Sequence, residues 1–385
     1  MKYIWFTLCW GLLPALLIGA QSSTFNAGWQ FVKQESETLD LPPDDPAWTS
    51  VNLPHSWNQF DAFDDERGYD QTVGWYRRTI HLTRTEQNQI LLKLEGAYQL
   101  TQVYVNGQLA GEHKGGYTAF AVDLTPWVEL DAENTITLRV DSRYNRDIPP
   151  LSGDFTFYGG VYRDVFLIRQ AEQHFDRLDG STKGIYLSSP EVSKNSATLR
   201  VKANTRNTSA EDAQLTLRTR LLRPDGQQIG QTDTPLQLSA QGRATATMDL
   251  EFAQPELWSP EHPNLYRVEV DLLNEKGEVI DEYTSKYGFR WFEMDDDRAF
   301  LLNGQPLDLI GVNRHQDYLG LANALPDALH RRDVEIIKEM GGNFLRIAHY
   351  PQDPAVLEAC DELGILVWEE IPIVNSITVS EAFKE

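Results

Sequence analysis

Polar and apolar positions along this chain follow two regimes. From residue 24 to about 288 the apolar positions alternate with a period of two; after residue 305 short apolar runs alternate with stretches of helical period. In the first regime, residues 74–82, 90–94 and 135–140 read as strands, and residues 102–105 form another that runs into Asn106-Gly107. Asn-Gly between two strand-like runs is the strongest short-range hairpin signal. No helical period emerges between residues 24 and 170, so this part predicts a β-sandwich or jelly roll, assigned to residues 21–171.

Alternation resumes after residue 172, at 197–203, 214–222 and 265–273. Turns are marked by Pro224-Asp225-Gly226 and Glu275-Lys276-Gly277. Roughly seven strands over residues 172–290 suit an immunoglobulin-like sandwich lacking its cysteine pair. The sequon Asn207-Thr208-Ser209 in this part reads as a polar loop.

Residues 291–385 change character. Residues 307–312 predict an apolar strand, followed by polar Asn313-Arg314-His315. Residues 327–340 predict a helix with Leu329, Ile336 and Met340 on one face. A strand at 344–348 follows. Asp353 then caps a helix that has Pro354 at its first position. Val356, Cys360 and Leu363 form its apolar stripe, Gly364 stops it, and a third strand follows at 365–368. Strand, helix, strand, helix, strand is the opening of a parallel α/β fold. Three strands and two helices cannot close a barrel, so the chain reads as the N-terminal part of a longer protein.

Composition narrows the function classes. The chain has 385 residues, enough for two or three domains, and a net charge of −23. Such a charge repels polyphosphate and anionic membrane surfaces, which excludes nucleic-acid binding as the main role. The only long apolar run, residues 4–18, follows a short basic start and precedes Gly19-Ala20. It is too short to span a bilayer and predicts a signal peptide over residues 1–20, with a periplasmic or extracellular product. Cys9 would leave with that leader, so Cys360 has no intramolecular partner.

Candidate chemistry sits where the parallel strands end, because α/β folds gather functional groups at the C-terminal ends of strands. The ends are Asn313-Arg314-His315, His349-Tyr350 and Trp368-Glu369-Glu370. Imidazoles, an arginine, an aromatic plate and carboxylates on one rim suit a sugar, whose hydroxyls want charged partners and whose ring wants a flat surface. The same set suits a metal ion. Arg346, in mid-strand, could instead form a structural ion pair with a carboxylate of a neighbouring strand. Strict alternation sends Arg346 and His349 to opposite faces unless the strand ends or bulges near Ala348. It also sends only one of Glu369 and Glu370 into the site, without saying which. Trp368 suits core packing as well as a sugar platform.

The run Asn343-Phe344-Leu345-Arg346-Ile347-Ala348-His349-Tyr350-Pro351, continuing from Cys360 to Trp368, resembles the first signature of glycoside hydrolase family 2. Leu53-Pro54-His55-Ser56-Trp57, Gly74-Trp75-Tyr76-Arg77, Gly115-Gly116-Tyr117-Thr118 and Tyr158-Gly159-Gly160-Val161-Tyr162-Arg163-Asp164-Val165 resemble its sugar-binding jelly roll, and Ile310-Gly311-Val312-Asn313-Arg314-His315 its barrel entry strand. The resemblance implies a jelly roll, an immunoglobulin-like domain and the first three or so strands of a (β/α)8 barrel. It implies a retaining exo-β-glycosidase acting on terminal β-linked sugars, with β-galactosidase first, β-glucuronidase and β-mannosidase next, and a non-catalytic carbohydrate-binding protein as the rival outside enzymes. It carries sugar or transition-state contacts to His315 and His349, a nucleophile-orienting role to Arg346, and a site-reaching aspartate to Asp154; Asn313, Trp368 and Glu370 are substrate-binding candidates from their places at the strand ends. It implies no cofactor. The magnesium ligands that some β-galactosidases place after the third strand are not carried over, because residues 371–376 offer neither Glu nor His. The family's acid/base and nucleophilic Glu are expected beyond Glu385, so this chain alone is expected to be inactive. A homo-oligomer is compatible with all of this.

Overall fold

The structure, a computed structural model, describes residues 19–36, 45–61, 63–65, 68–296 and 299–384; the apolar run at 4–18 lies outside the described residues. Three bodies follow one another along the chain: two β-sandwiches and a parallel α/β segment.

The first sandwich pairs a six-stranded sheet with a four-stranded one. The larger sheet runs in the order Thr49–Val51, Trp29–Lys33, Val73–Leu82, Ala132–Asp141, Leu100–Val105 and Gln108–Lys114. The smaller runs Gln21–Thr24, Val165–Gln170, Gln89–Leu94 and Phe120–Asp123. Period-two alternation sends Val103, Val105, Ile136 and Leu138 inward to meet Ile90, Leu92 and Leu94. The Asn106-Gly107 hairpin forms as expected, both residues having positive φ (49° and 80°) as a primed turn requires.

The second sandwich sets Gln173–Phe175, Ile185–Ser188, Ser196–Asn207 and Arg243–Ala253 against Gln228–Leu238, Ala213–Leu222, Tyr266–Leu273 and Val279–Tyr287. Its core includes Leu199, Val201, Leu217, Leu221, Val268 and Val270. At its junction with the first sandwich, Arg177 binds the fully buried Asp281 in fork geometry, Nη1 to Oδ2 at 2.6 Å and Nη2 to Oδ1 at 2.9 Å. Arg177 Nη1 also reaches Gln170 Oε1 of the first sandwich at 3.1 Å. Asn207 of the sequon is buried, and its amide donates to the Glu211 and Ser239 carbonyls at 2.7 and 3.2 Å. It is a structural residue, not a solvent-facing acceptor.

In the α/β segment, three parallel strands lie side by side in chain order: Gly311–Arg314, Phe344–Ile347 and Leu366–Glu369. Helices Asp327–Glu339 and Pro354–Leu363 cover one face, burying Val334, Ile337, Val356, Ala359 and Cys360 against Leu345 and Ile347. The second helix has its expected ends. Asp353 Oδ1 accepts from the Ala355 amide at 2.9 Å, and Gly364 is left-handed with φ 72°. A Cβ at Gly364 would come within 2.4 Å of the Pro260 carbonyl oxygen, so only glycine fits that close approach. The second sandwich also buttresses the segment through Trp258 Nε1, which donates to Asp361 O at 2.8 Å, and Lys338 Nζ, which donates to Pro260 O at 2.9 Å.

Two expectations are corrected. The first helix presents His330, Val334 and Ile337 to the sheet, while Ile336 and Met340 are 41% and 65% exposed. The true stripe contains a histidine held by a buried arginine, so hydrophobicity alone selects the wrong face. The expected strand at 307–312 begins only at Gly311. Leu307 belongs instead to a small meander, donating its amide to Phe300 O at 3.0 Å and packing near Trp258 and Leu302. No described helix is long and apolar enough to cross a membrane.

Candidate active site

Parallel register fixes which side chains share a row. Asn313, Arg346 and Trp368 are paired across the three strands, as are Arg314, Ile347 and Glu369 one position on. Paired residues project to the same side, so Asn313, Arg346 and Trp368 lie on the face opposite the helices. Trp368 is 61% exposed there, and Asn313 is exposed too.

The middle strand ends at Ile347. Alternation therefore stops before His349, and Arg346 and His349 converge on one carboxylate. Arg346 Nε donates to Glu370 Oε1 at 2.6 Å, and His349 Nδ1 meets Glu370 Oε2 at 2.8 Å. Of the two adjacent acids, Glu370 is the one joined to Arg346 and His349; Glu369 lies in the row of Ile347, on the helix side. Arg346 thus makes the ion pair foreseen for it, and makes it at the rim. Desolvation pushes the Glu370 carboxyl up, but hydrogen bonds from His349 and Arg346, with their charge, outweigh it and hold the group below the usual carboxylate range. Such a carboxylate is a strong acceptor for sugar hydroxyls and a poor proton donor at neutral pH.

His315 completes the imidazole pair, its ring edge-on to His349 at 5.6 Å and its Nδ1 3.2 Å from the Tyr350 hydroxyl. Burial lowers its pKa; the Asp317 charge opposes this, His349 reinforces it and Asp154 opposes it. Asp154 is exposed on the sandwich loop that also brings Phe155 across the rim. The Phe155 ring lies 5.4 Å from His315, 5.7 Å from His349 and 5.3 Å from Tyr350. Tyr117 stacks on Tyr350 at 4.3 Å, and Arg163 Nη2 donates to the Pro351 carbonyl at 2.6 Å. Phe155 and Tyr117 are site residues that sequence reasoning missed, and Tyr350, placed at a strand end, was given no role. The signals were the aromatics flanking Asp154 and His349.

Arg314, expected on the rim, points elsewhere. It is buried and donates to Asp333 Oδ2 at 2.7 Å, Gln352 Oε1 at 2.5 Å and His330 Nδ1 at 3.1 Å, binding the strand end to the first helix. Because His330 Nδ1 accepts that bond, its proton sits on Nε2, 3.9 Å from Asp353 Oδ2 and beyond hydrogen-bond reach. Desolvation first, then the Arg314 and Arg163 charges, lowers His330 to about 3. The unfolded chain therefore takes up this proton first, and the stability His330 contributes is complete above pH 6.5 and lost as the pH falls towards 3. Compared with His330→Gln, the parent is expected to lose on the order of 3 kcal/mol of relative unfolding free energy between about pH 7 and pH 4. Denaturant titrations of both proteins check this, and a pH-independent difference would refute it. Among the described residues, no three His, Cys, Asp or Glu side chains gather to hold a metal ion.

The first of two β-sandwiches delivers a loop onto the C-terminal rim of parallel β/α strands, where imidazole, guanidinium and carboxylate groups are linked, and this defines a multidomain protein of two β-sandwiches and the start of a β/α barrel. Family models agree along the chain: "Glycosyl hydrolases family 2, sugar binding domain" matches residues 22–171, "Glycosyl hydrolases family 2" residues 185–290, and "Glycosyl hydrolases family 2, TIM barrel domain" residues 292–385. The chain belongs to glycosyl hydrolases family 2. A β-glucuronidase of Bacteroides fragilis is 35% identical over 84% of this chain and 47% of its own length. A β-galactosidase of Thermoanaerobacter pseudethanolicus is 33% identical over 92% of this chain and 47% of its own. The structure of Bacteroides uniformis β-glucuronidase 2, covalently bound to cyclophellitol-6-carboxylate aziridine, superposes with a TM-score of 0.90 at 42% identity, covering 94% of this chain and 44% of that one. The chain thus spans somewhat under half the length of the curated relatives it matches.

Proposed function

We propose that this chain supplies the sugar-binding rim of a retaining exo-β-glycosidase, and that the sugar is a terminal β-glucuronide. The observation that carries the rim assignment is the Arg346–Glu370–His349 network at the strand ends, roofed by Phe155 of the first sandwich. Charged hydrogen bonds orient the sugar hydroxyls, while Trp368 offers a flat surface on the Arg346 side. The family's double displacement needs two further carboxyl groups about 5 Å apart, one protonating the leaving oxygen and one attacking the anomeric carbon. Glu370, already bonded to Arg346 and His349, is suited to neither role. The 385-residue chain by itself is accordingly expected to turn over no β-glycoside.

Sequence alone placed β-galactoside first. The glucuronide is preferred here because the B. uniformis relative, at 42% identity, carries a ligand with a 6-carboxylate. The Thermoanaerobacter relative keeps β-galactoside as the second reading. Titration of the chain with methyl β-D-glucuronide and methyl β-D-galactoside separates the two: tighter glucuronide binding is expected, and tighter galactoside binding would reverse the order. In the hydrolytically competent polypeptide, His349→Ala is expected to lower kcat/KM by more than about tenfold, or about 1.4 kcal/mol of transition-state stabilisation. A smaller fall would remove His349 from the site.

A further inference from the structure

Tyr350 follows His349 in the chain and ties the rim to the first sandwich. Its side chain is buried, and its ring lies against Tyr117 of that sandwich, 4.3 Å away and within 14° of parallel. Phe155 packs on it at 5.3 Å. The phenol oxygen is thereby held in place, 3.2 Å from His315 Nδ1. Burial first, then the Asp317 charge, pushes this hydroxyl well above its ordinary range, so it stays protonated at neutral pH.

That proton has one place to go. The Gln316 backbone N–H bonds to the phenol oxygen, which accepts there. A phenol has a single hydrogen to donate. Among the described residues, the one acceptor within its reach is His315 Nδ1, and a buried hydroxyl hydrogen without an acceptor is costly. Tyr350 therefore donates to Nδ1, and His315 carries its own proton on Nε2. Burial, the main influence on His315, lowers its pKa and favours the neutral ring.

His349 is held the other way round. Glu370 Oε2, 2.8 Å from its Nδ1, can only accept, so Nδ1 bears the proton. Arg346 Nη2 also approaches that nitrogen, but at 3.5 Å, and its short contact of 2.6 Å goes to Glu370 Oε1. The carboxylate decides, and Nε2 of the neutral His349 ring is left as a bare acceptor. The Nε2 atoms of His315 and His349 make no hydrogen bond among the described residues, and neither is a buried unpaired atom as His330 Nε2 is. Both are open to a ligand, on rings that meet edge-on at 5.6 Å.

We propose that Tyr350 is a positioning residue that fixes His315 in the tautomer opposite to that of His349, so that the rim offers one imidazole donor beside one imidazole acceptor. The proposal rests on the rim being the sugar site, as argued above. The sugar group that matches such a pair is the hydroxyl, which accepts from His315 and donates to His349. A carboxylate only accepts, so it satisfies His315 alone, and the 6-carboxylate of a glucuronide falls to groups other than His349.

Proton–nitrogen NMR spectra of the isotopically labelled 385-residue chain test it, because a ring nitrogen shifts strongly on losing its hydrogen. His315→Gln and His349→Gln identify the two sets of signals. At neutral pH, His315 is expected to show its hydrogen on Nε2 and His349 on Nδ1. Tyr350→Phe keeps the ring stack and removes only the hydroxyl. It is expected to release His315 into a mixture of tautomers, leave His349 unchanged, and weaken methyl β-D-glucuronide binding by about two- to tenfold, the range one hydrogen bond of ordinary net worth supplies. A hydrogen on His315 Nδ1 in the parent chain would overturn the proposal even if Tyr350→Phe did not fold. So would a His315 tautomer, or a glucuronide affinity, that Tyr350→Phe leaves unchanged. Hydrogens on both nitrogens of His349 would overturn its acceptor role. The expected tautomers in a chain that binds neither methyl β-D-glucuronide nor methyl β-D-galactoside would support the positioning by Tyr350 and count against the rim as the sugar site.

Discussion

Replacing Glu370 with alanine is expected to cost the hydrolytically competent polypeptide about 10²–10³ in kcat/KM, the range found when one preorganised hydrogen-bonding group is lost from a site. Two groups lose their anchor at once. Arg346 gives up a 2.6 Å bond and His349 a 2.8 Å bond, and both side chains regain rotamer freedom next to the sugar. Glu370 is partly exposed, so the fold should hold, with the melting temperature shifting by only a few degrees. Glu369→Ala is the matched control. Its side chain lies in the row of Ile347 on the helix side, and its removal is expected to change kcat/KM by less than about threefold. Equal losses from the two substitutions would show that the Glu370 network does not organise the site.

The largest stability effect is expected far from the rim. Asp281→Ala leaves the Arg177 guanidinium buried without its counter-ion and takes an acceptor from the Phe175 amide, which donates to Asp281 Oδ2 at 2.9 Å. Breaking a buried pair from one side costs about 3–5 kcal/mol, because the remaining charge stays desolvated. The double variant Asp281→Leu, Arg177→Met should recover much of that loss, since well-packed apolar residues often equal a buried ion pair. Equilibrium denaturation of the chain measures both; a single substitution costing under about 1 kcal/mol would mean that water reaches the pair.

What could be read from the sequence was what local chemistry decides. Asn106-Gly107 specifies its hairpin, and Asp353, Pro354 and Gly364 specify a helix with both ends, because each signal needs only its own neighbours. The face of the first helix needed more. Choosing His330 over Ile336 depends on Arg314, sixteen residues away in the chain, arriving beneath the helix. The convergence of Arg346 and His349 depended on where a four-residue strand stops, and period-two counting carries no information about that. Phe155 was signalled only by its place next to Asp154, and its position over the histidines was not legible. Its contacts lie some 160 to 195 residues further along the chain, and no local pattern announces a loop that crosses between domains.

That crossing has a consequence for how such proteins diversify. The roof over the two histidines belongs to one folding unit and the histidines to another, and the Arg163–Pro351 and Tyr117–Tyr350 contacts lock the two in place. Lengthening or shortening the loop that carries Phe155 would re-aim it at a rim it does not itself contain. Exchange of whole β-sandwiches between lineages would therefore transplant half a binding site, not a spare module. Inheritance must treat the two as a single piece.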